Sequence, residues 1–152
     1  MCTGNICRSP MAAAMAKKLL AERGRPEIEV RSAGTAAAEG APASEGAYLV
    51  GLEKGLDLSD HSATFLTRDV VGAADLILVM GSHHVSRAQA LGAEGRVYLL
   101  GEYAGRNFTE AEVEDPYGGD LDDYRRTYQQ LQGLMSDALD RLLRDEESRA
   151  GG

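Results

Sequence analysis

Met1-Cys2-Thr3-Gly4-Asn5-Ile6-Cys7-Arg8-Ser9-Pro10 opens the chain, and the spacing inside it governs how the rest is read. Cys2 and Arg8 stand at the two ends of a Cys-x5-Arg segment that runs into Ser9-Pro10. That dipeptide is a good helix opening, because serine caps and proline tolerates the first helical position. A tight loop ending at a helix N-terminus can turn its backbone N–H groups inward onto an anion. Arg8 adds a planar fork of donors matched to phosphate oxygens. The same donors would stabilise a thiolate at Cys2, the form of cysteine that attacks phosphorus. The segment points to cysteine chemistry on a phosphoryl group.

Working outward, Met11 to Arg23 reads as an alanine-rich amphipathic helix stopped by Gly24 and Pro26. Ile28 to Ala33 alternates like a short strand and ends at Gly34. Ala36 to Ser44 is small and turn-rich, a loop over one face. Ala47 to Lys54 and Thr67 to Ala73 are expected helices. Asp75 to Met80 is a continuous apolar run of the kind buried inside a parallel sheet. Ser82 to Leu91 is an expected helix capped by Ser82, Arg96 to Leu100 a further strand, and Tyr103 to Gly119 a long functional loop. A terminal helix is expected over Asp120 to Glu147. Alternating helices and strands predict an α/β fold, a three-layer sandwich with a small parallel four-stranded sheet flanked by helices. Ligands then bind at the carboxyl ends of the strands. Only Met1 precedes Cys2, so the first strand is expected to be missing from this chain and Met1 to be an internal start. The expected organisation is one domain over 1–147 and a disordered tail over 148–152.

Composition bounds the partners. A net charge of −8 over 152 residues argues against nucleic acid or an anionic membrane. Two cysteines five positions apart do not make a secreted disulfide scaffold. The longest apolar run is too short to span a bilayer, and a cytoplasmic location is expected.

Five segments carry a family resemblance: CTGNICRSP at 2–10, SAGT at 32–35, DLSDHSATFLT at 57–67, ADLILVM at 74–80 and EDPYGG at 114–119. Together they resemble the low-molecular-weight protein tyrosine phosphatase family, which includes bacterial protein arginine phosphatases. The resemblance implies a protein phosphatase working through a phosphocysteine intermediate. Cys2 resembles its nucleophile, Arg8 the clamp on the phosphoryl oxygens, and Asp115 the acid that protonates the leaving group and then activates water. Thr3, Gly4, Asn5, Ile6, Cys7, Arg8 and Ser9 form the implied phosphate loop. Asn5 holds its turn, and Ser9 donates to the sulfur as well as serving as a possible helix N-cap. Ser32 and His61 are expected to support the loop by hydrogen bonds, and Tyr117 to stand at the rim against the organic part of the substrate. Cys7 is read either as a partner that traps oxidised Cys2 in a disulfide or as a packed thiol.

Substrate choice divides the family. Ile6 stands where the arginine phosphatases tend to carry threonine, a hydroxyl residue able to assist attack on a phosphoramidate, and this favours phosphotyrosine. Asp115-Pro116-Tyr117-Gly118-Gly119 leans the other way, as does the absence of an aromatic wall in Ala36 to Gly40. Phosphotyrosine is the expected substrate, phosphoarginine the alternative, and an inactive phosphate-binding module the second alternative. The related arsenate reductases need further cysteines than Cys2 and Cys7. His83-His84 is expected on an exposed helix turn, and neither metal nor cofactor is assigned. The expected partners are phosphorylated proteins, met as a monomer.

Overall fold

The computed structural model describes residues 1–107 and 110–151; Phe108 and Thr109, within the expected long loop, and Gly152, in the expected tail, lie outside them. The chain forms α1 (Arg8–Glu22), α2 (Glu45–Glu53), α3 (Arg68–Gly72), β1 (Ile77–Val79), α4 (Ser82–Ala90), β2 (Val97–Leu99), α5 (Leu100–Tyr103) and α6 (Leu121–Gly151). β1 and β2 pair in parallel, with Ile77, Leu78 and Val79 opposite Val97, Tyr98 and Leu99.

Regular pairing among the described residues therefore covers two strands, where three strands of a four-stranded sheet were expected in this chain. The sheet continues beyond β1 through single bridges. Met1 N donates to Leu78 O at 2.8 Å, and Met80 N to Met1 O at 3.1 Å. On the far side, Cys2 N donates to Ala33 O at 3.3 Å and Thr35 N to Cys2 O at 3.0 Å. Parallel bridges join Cys2 to Gly34 and Gly34 to Phe65. Met1 and Cys2 thus stand between β1 and Gly34, so the loop over residues 3 to 7 leaves from the middle of the sheet. The strand expected over Ile28 to Ala33 is not formed. Its alternation is real, with half-buried and exposed residues taking turns, but no described segment pairs with residues 28 to 32, and a strand needs its ladder.

The helix boundaries follow their caps. Ser44 accepts from Ala47 N and starts α2, and Thr67 accepts from Val70 N and starts α3. Two expected caps are corrected. Cys7, not Ser9, is the N-cap of α1, and Gly81, not Ser82, that of α4. Pro10 then sits third in α1, where its missing N–H still belongs to the four that no helix can satisfy. α6 runs past Glu147, so residues 148 to 151 of the expected disordered tail are helical; Glu146, Glu147, Arg149 and Ala150 all favour helix.

Two cores flank the sheet. Met11, Met15 and Leu20 of α1 pack with Leu131, Leu134, Met135 and Leu139 of α6 in one. Ile77, Val79, Val97 and Leu99 join Leu66, Val71 and Ala88 in the other. Leu78 turns to the first core, as the period of two in a strand requires. This is the three-layer arrangement. No described helix is long and apolar enough to cross a membrane.

Candidate active site

The loop turns at Asn5, the one non-glycine residue with positive φ among the described residues, at 56°. Asparagine tolerates that left-handed conformation better than most side chains. Its own side chain is buried and fully engaged. Asn5 Nδ2 donates to Ser9 Oγ at 2.7 Å and to Ser32 Oγ at 2.9 Å, while Oδ1 accepts from Thr64 N at 2.8 Å. His61 Nε2 lies 2.6 Å from Asn5 O; a carbonyl only accepts, so that nitrogen carries the proton. Ser32 and His61 therefore converge on Asn5 from two separate segments.

Ser9 connects this network to the sulfur. Its Oγ lies 2.9 Å from Cys2 Sγ. Because Oγ already accepts from Asn5, its own proton is free to point at Cys2. Cys2 is 2% exposed. Arg8, the first residue of α1, is 5% exposed. Arg8 Nη1 donates to Val113 O at 2.9 Å, and Nη2 lies 3.6 Å from Asp115 Oδ2. Arg8 Nε is buried without a hydrogen-bond partner among the described residues, a donor available to an anion. Asp115 Oδ1 accepts from Tyr117 N at 3.0 Å, which closes the Asp-Pro turn and leaves Oδ2 toward Arg8. Arg8 and Asp115 line an open cleft of ≈ 820 Å³ with His83, Glu112, Glu114 and Gln130. Tyr117 is 71% exposed and is not part of that lining.

The remaining loop residues go elsewhere. Ile6 is half-buried against the α1–α6 core, and its carbonyl accepts from Ser44 N at 2.7 Å. Cys7 Sγ lies 3.3 Å from both Ser44 Oγ and Tyr124 OH. Burial pushes the Cys7 thiol up, and burial, with Cys7 as a further cause, pushes Tyr124 up to about 12. Both cysteines are free thiols. Among the described residues no group of three or more His, Cys, Asp or Glu side chains is placed to hold a metal ion.

The sequence reading missed His84. It is fully buried rather than on an exposed turn. Gly81 N donates to His84 Nδ1 at 3.0 Å, so the neutral ring carries its proton on Nε2 and donates to Thr3 Oγ1 at 2.9 Å. Burial, reinforced by His83 and Arg8, pulls His84 down to about 4. The spacing from Gly81 to His84, an N-cap and the third helical residue reaching back to it, is the signal that could have found it.

A thiol with a hydroxyl donor beside it, and at the other end of the same loop an arginine with a spare N–H and an opposed carboxylate, are the groups needed to take a phosphoryl group and pass it to water. That defines the class as a cysteine-dependent phosphatase. Residues 1–148 match the profile of the low molecular weight phosphotyrosine protein phosphatases, and the chain belongs to that family. The probable low molecular weight protein-tyrosine-phosphatase EpsP of Ralstonia solanacearum is 41% identical over 119 residues, 77% of this chain and 75% of that protein. The protein-arginine-phosphatase of Bacillus subtilis (strain 168) is 35% identical over 147 residues, 95% of each. A solved structure of YwlE arginine phosphatase with a phosphorylated active-site serine superposes with a TM-score of 0.87 at 33% identity, covering 96% of this chain and 95% of that one.

Proposed function

We propose that this phosphatase hydrolyses phosphotyrosine in proteins, with Cys2 as nucleophile, Arg8 as phosphoryl clamp and Asp115 as acid and base. In the first step the Cys2 thiolate attacks phosphorus and the bond to the phenolic oxygen breaks. Asp115 gives its proton to that oxygen. Arg8 and the loop N–H groups hold the phosphoryl oxygens through the in-line transition state. In the second step the Asp115 carboxylate takes a proton from water, whose oxygen attacks the phosphocysteine. Inorganic phosphate leaves, and the departing thiolate is received by the Ser9 hydroxyl. The 2.9 Å contact between Ser9 Oγ and Cys2 Sγ is the observation that carries this reading. Asn5, Ser32 and His61 hold the loop in register. The enzyme acts as a cytoplasmic monomer in this reading, which sedimentation and cell fractionation test.

Ile6 carries the choice of phosphotyrosine, since it brings no hydroxyl to the loop. The phosphoarginine reading is favoured by the arginine phosphatase that matches end to end, and by Gly118-Gly119 after the acid. Phosphate release from matched phosphotyrosine and phosphoarginine peptides, with Cys2→Ser as blank, decides. Faster phosphotyrosine turnover is expected, and Ile6→Thr shifts the ratio toward phosphoarginine. Faster phosphoarginine turnover by the wild type overturns the substrate assignment. Release from neither leaves a phosphate-binding module.

A further inference from the structure

Asp115 sits at the end of a short irregular segment, residues 111 to 115, that bends at Glu112 and whose backbone is bonded alternately to opposite sides. Ala111 and Val113 are buried, while Glu112 and Glu114 are exposed. The odd-numbered residues bond toward the sheet and loop. Ala111 O accepts from Gly101 N at 3.2 Å, Val113 N donates to Met80 O at 2.9 Å, and Val113 O accepts from Arg8. The even-numbered residues bond toward α6. Gln130 Nε2 donates to Glu112 O at 3.0 Å, and Gln130 Oε1 accepts from Glu114 N at 3.3 Å. One carboxamide thus makes the donor and acceptor pair that a neighbouring strand would make. Thr127 Oγ1 adds a longer bond to Glu114 O at 3.4 Å.

We propose that Gln130 is a positioning residue for Asp115: its side-chain amide acts as a one-residue strand that fixes the register of residues 112 to 114 and so the height of the carboxylate over Arg8. This rests on the reading of Asp115 as the acid. The chain between Glu114 and Asp115 is a single peptide link, so a shift of the clamped segment is carried to the carboxylate. The turn from Asp115 to Tyr117 closes only locally and sets no register on its own. Gln130 lines the cleft but has no acidic proton to give at the leaving group, and both ends of its carboxamide are bonded to the segment it holds.

The test separates a lost acid from a damaged fold by the leaving group. Phenol, with a pKa of about 10, needs a proton to depart. Dinitrophenolate leaves as a stable anion and does not. In kcat/KM, which reports the phosphoryl transfer to Cys2, Asp115→Asn is expected to lower the rate on phenyl phosphate by about 10²-fold or more relative to 2,4-dinitrophenyl phosphate. Gln130→Met, which keeps length and removes both bonds, is expected to shift the same ratio in the same direction by about tenfold. Gln130→Ala does the same without the methionine's bulk. Combined with Asp115→Asn, neither shifts the ratio further, because the group being positioned is gone. Equal losses on both substrates, or additive effects in the double variant, overturn the assignment of Gln130 while leaving Asp115 as acid. A ratio untouched by Asp115→Asn overturns the acid itself, and this inference with it.

Discussion

His84 shows what one buried ring contributes. With Nδ1 accepting from Gly81 and Nε2 donating to Thr3, only the neutral form fits. The unfolded chain takes up that proton near the ordinary 6.5 and the folded chain only near 4, so the unfolded state binds more protons across that interval. Stability contributed by His84 is full above the unfolded value and is lost as pH falls toward the folded one, by about 3 kcal/mol. Urea midpoints at pH 7 and pH 4.5 are expected to differ more for the wild type than for His84→Gln, which has nothing to protonate. Equal differences would show the ring titrating as it does in the open chain. At Asn5, backbone and side chain can be separated. Asn5→Gly keeps the left-handed turn and loses the bonds to Ser9, Ser32 and Thr64, whereas Asn5→Ala loses both. Both variants are expected to lose activity, about 10²-fold through a misplaced loop. Asn5→Ala is expected to melt lower than Asn5→Gly by the equivalent of about 1 kcal/mol.

Among elements, close approach decides which glycines can change. A Cβ at Gly101 in α5 would run into the backbone of Ala111, at the root of the segment that ends at Asp115. Gly101→Ala is expected to cost about 1–3 kcal/mol and to lower kcat/KM. Gly133, on the exposed side of α6, has nothing near its missing Cβ, and Gly133→Ala is expected to stabilise by about 0.5–1 kcal/mol without touching activity. Thermal melts and turnover of both variants check the pair. The same distinction between local and distant explains what was legible beforehand. The helices could be read, to within a few residues, because Gly24 and Pro26 stop a helix within a turn of where they stand; their caps at Cys7, Ser44 and Gly81 were not read. The loop could be read because Cys2, Asn5, Arg8 and Ser9 lie within eight residues. Ile28 to Ala33 could not, since alternation describes a face but not the neighbour that must pair with it. Nor could Gln130 or the bond from His84 to Thr3. Both depend on which residues of distant segments arrive beside them, residues 112 to 114 for one and Thr3 for the other.

For the whole molecule the tension is between an acidic chain and a site for a dianion. Twenty-four Asp and Glu against sixteen Lys and Arg give a net charge of −8, which disfavours phosphate at long range. Binding then depends on groups at the loop, the buried Arg8 with its spare Nε above all. A ligand that binds only the folded state raises stability by about 2.7 kcal/mol at 100 times its Kd. At about 2–4 °C per kcal/mol for a chain of this size, saturating inorganic phosphate is expected to raise Tm by roughly 5–10 °C. Salt alone also raises Tm in a chain this acidic, by screening its self-repulsion, so the comparison is with sodium chloride at equal ionic strength. Screening acts on the summed charge and leaves Arg8→Ala responding like the wild type. A site acts through Arg8, so that variant is expected to lose the phosphate-specific part of the shift and keep the chloride part, while Ser32→Ala keeps most of both. If chloride matches phosphate in the wild type, the loop does not hold the anion in this chain, and the catalytic reading of Arg8 falls with it.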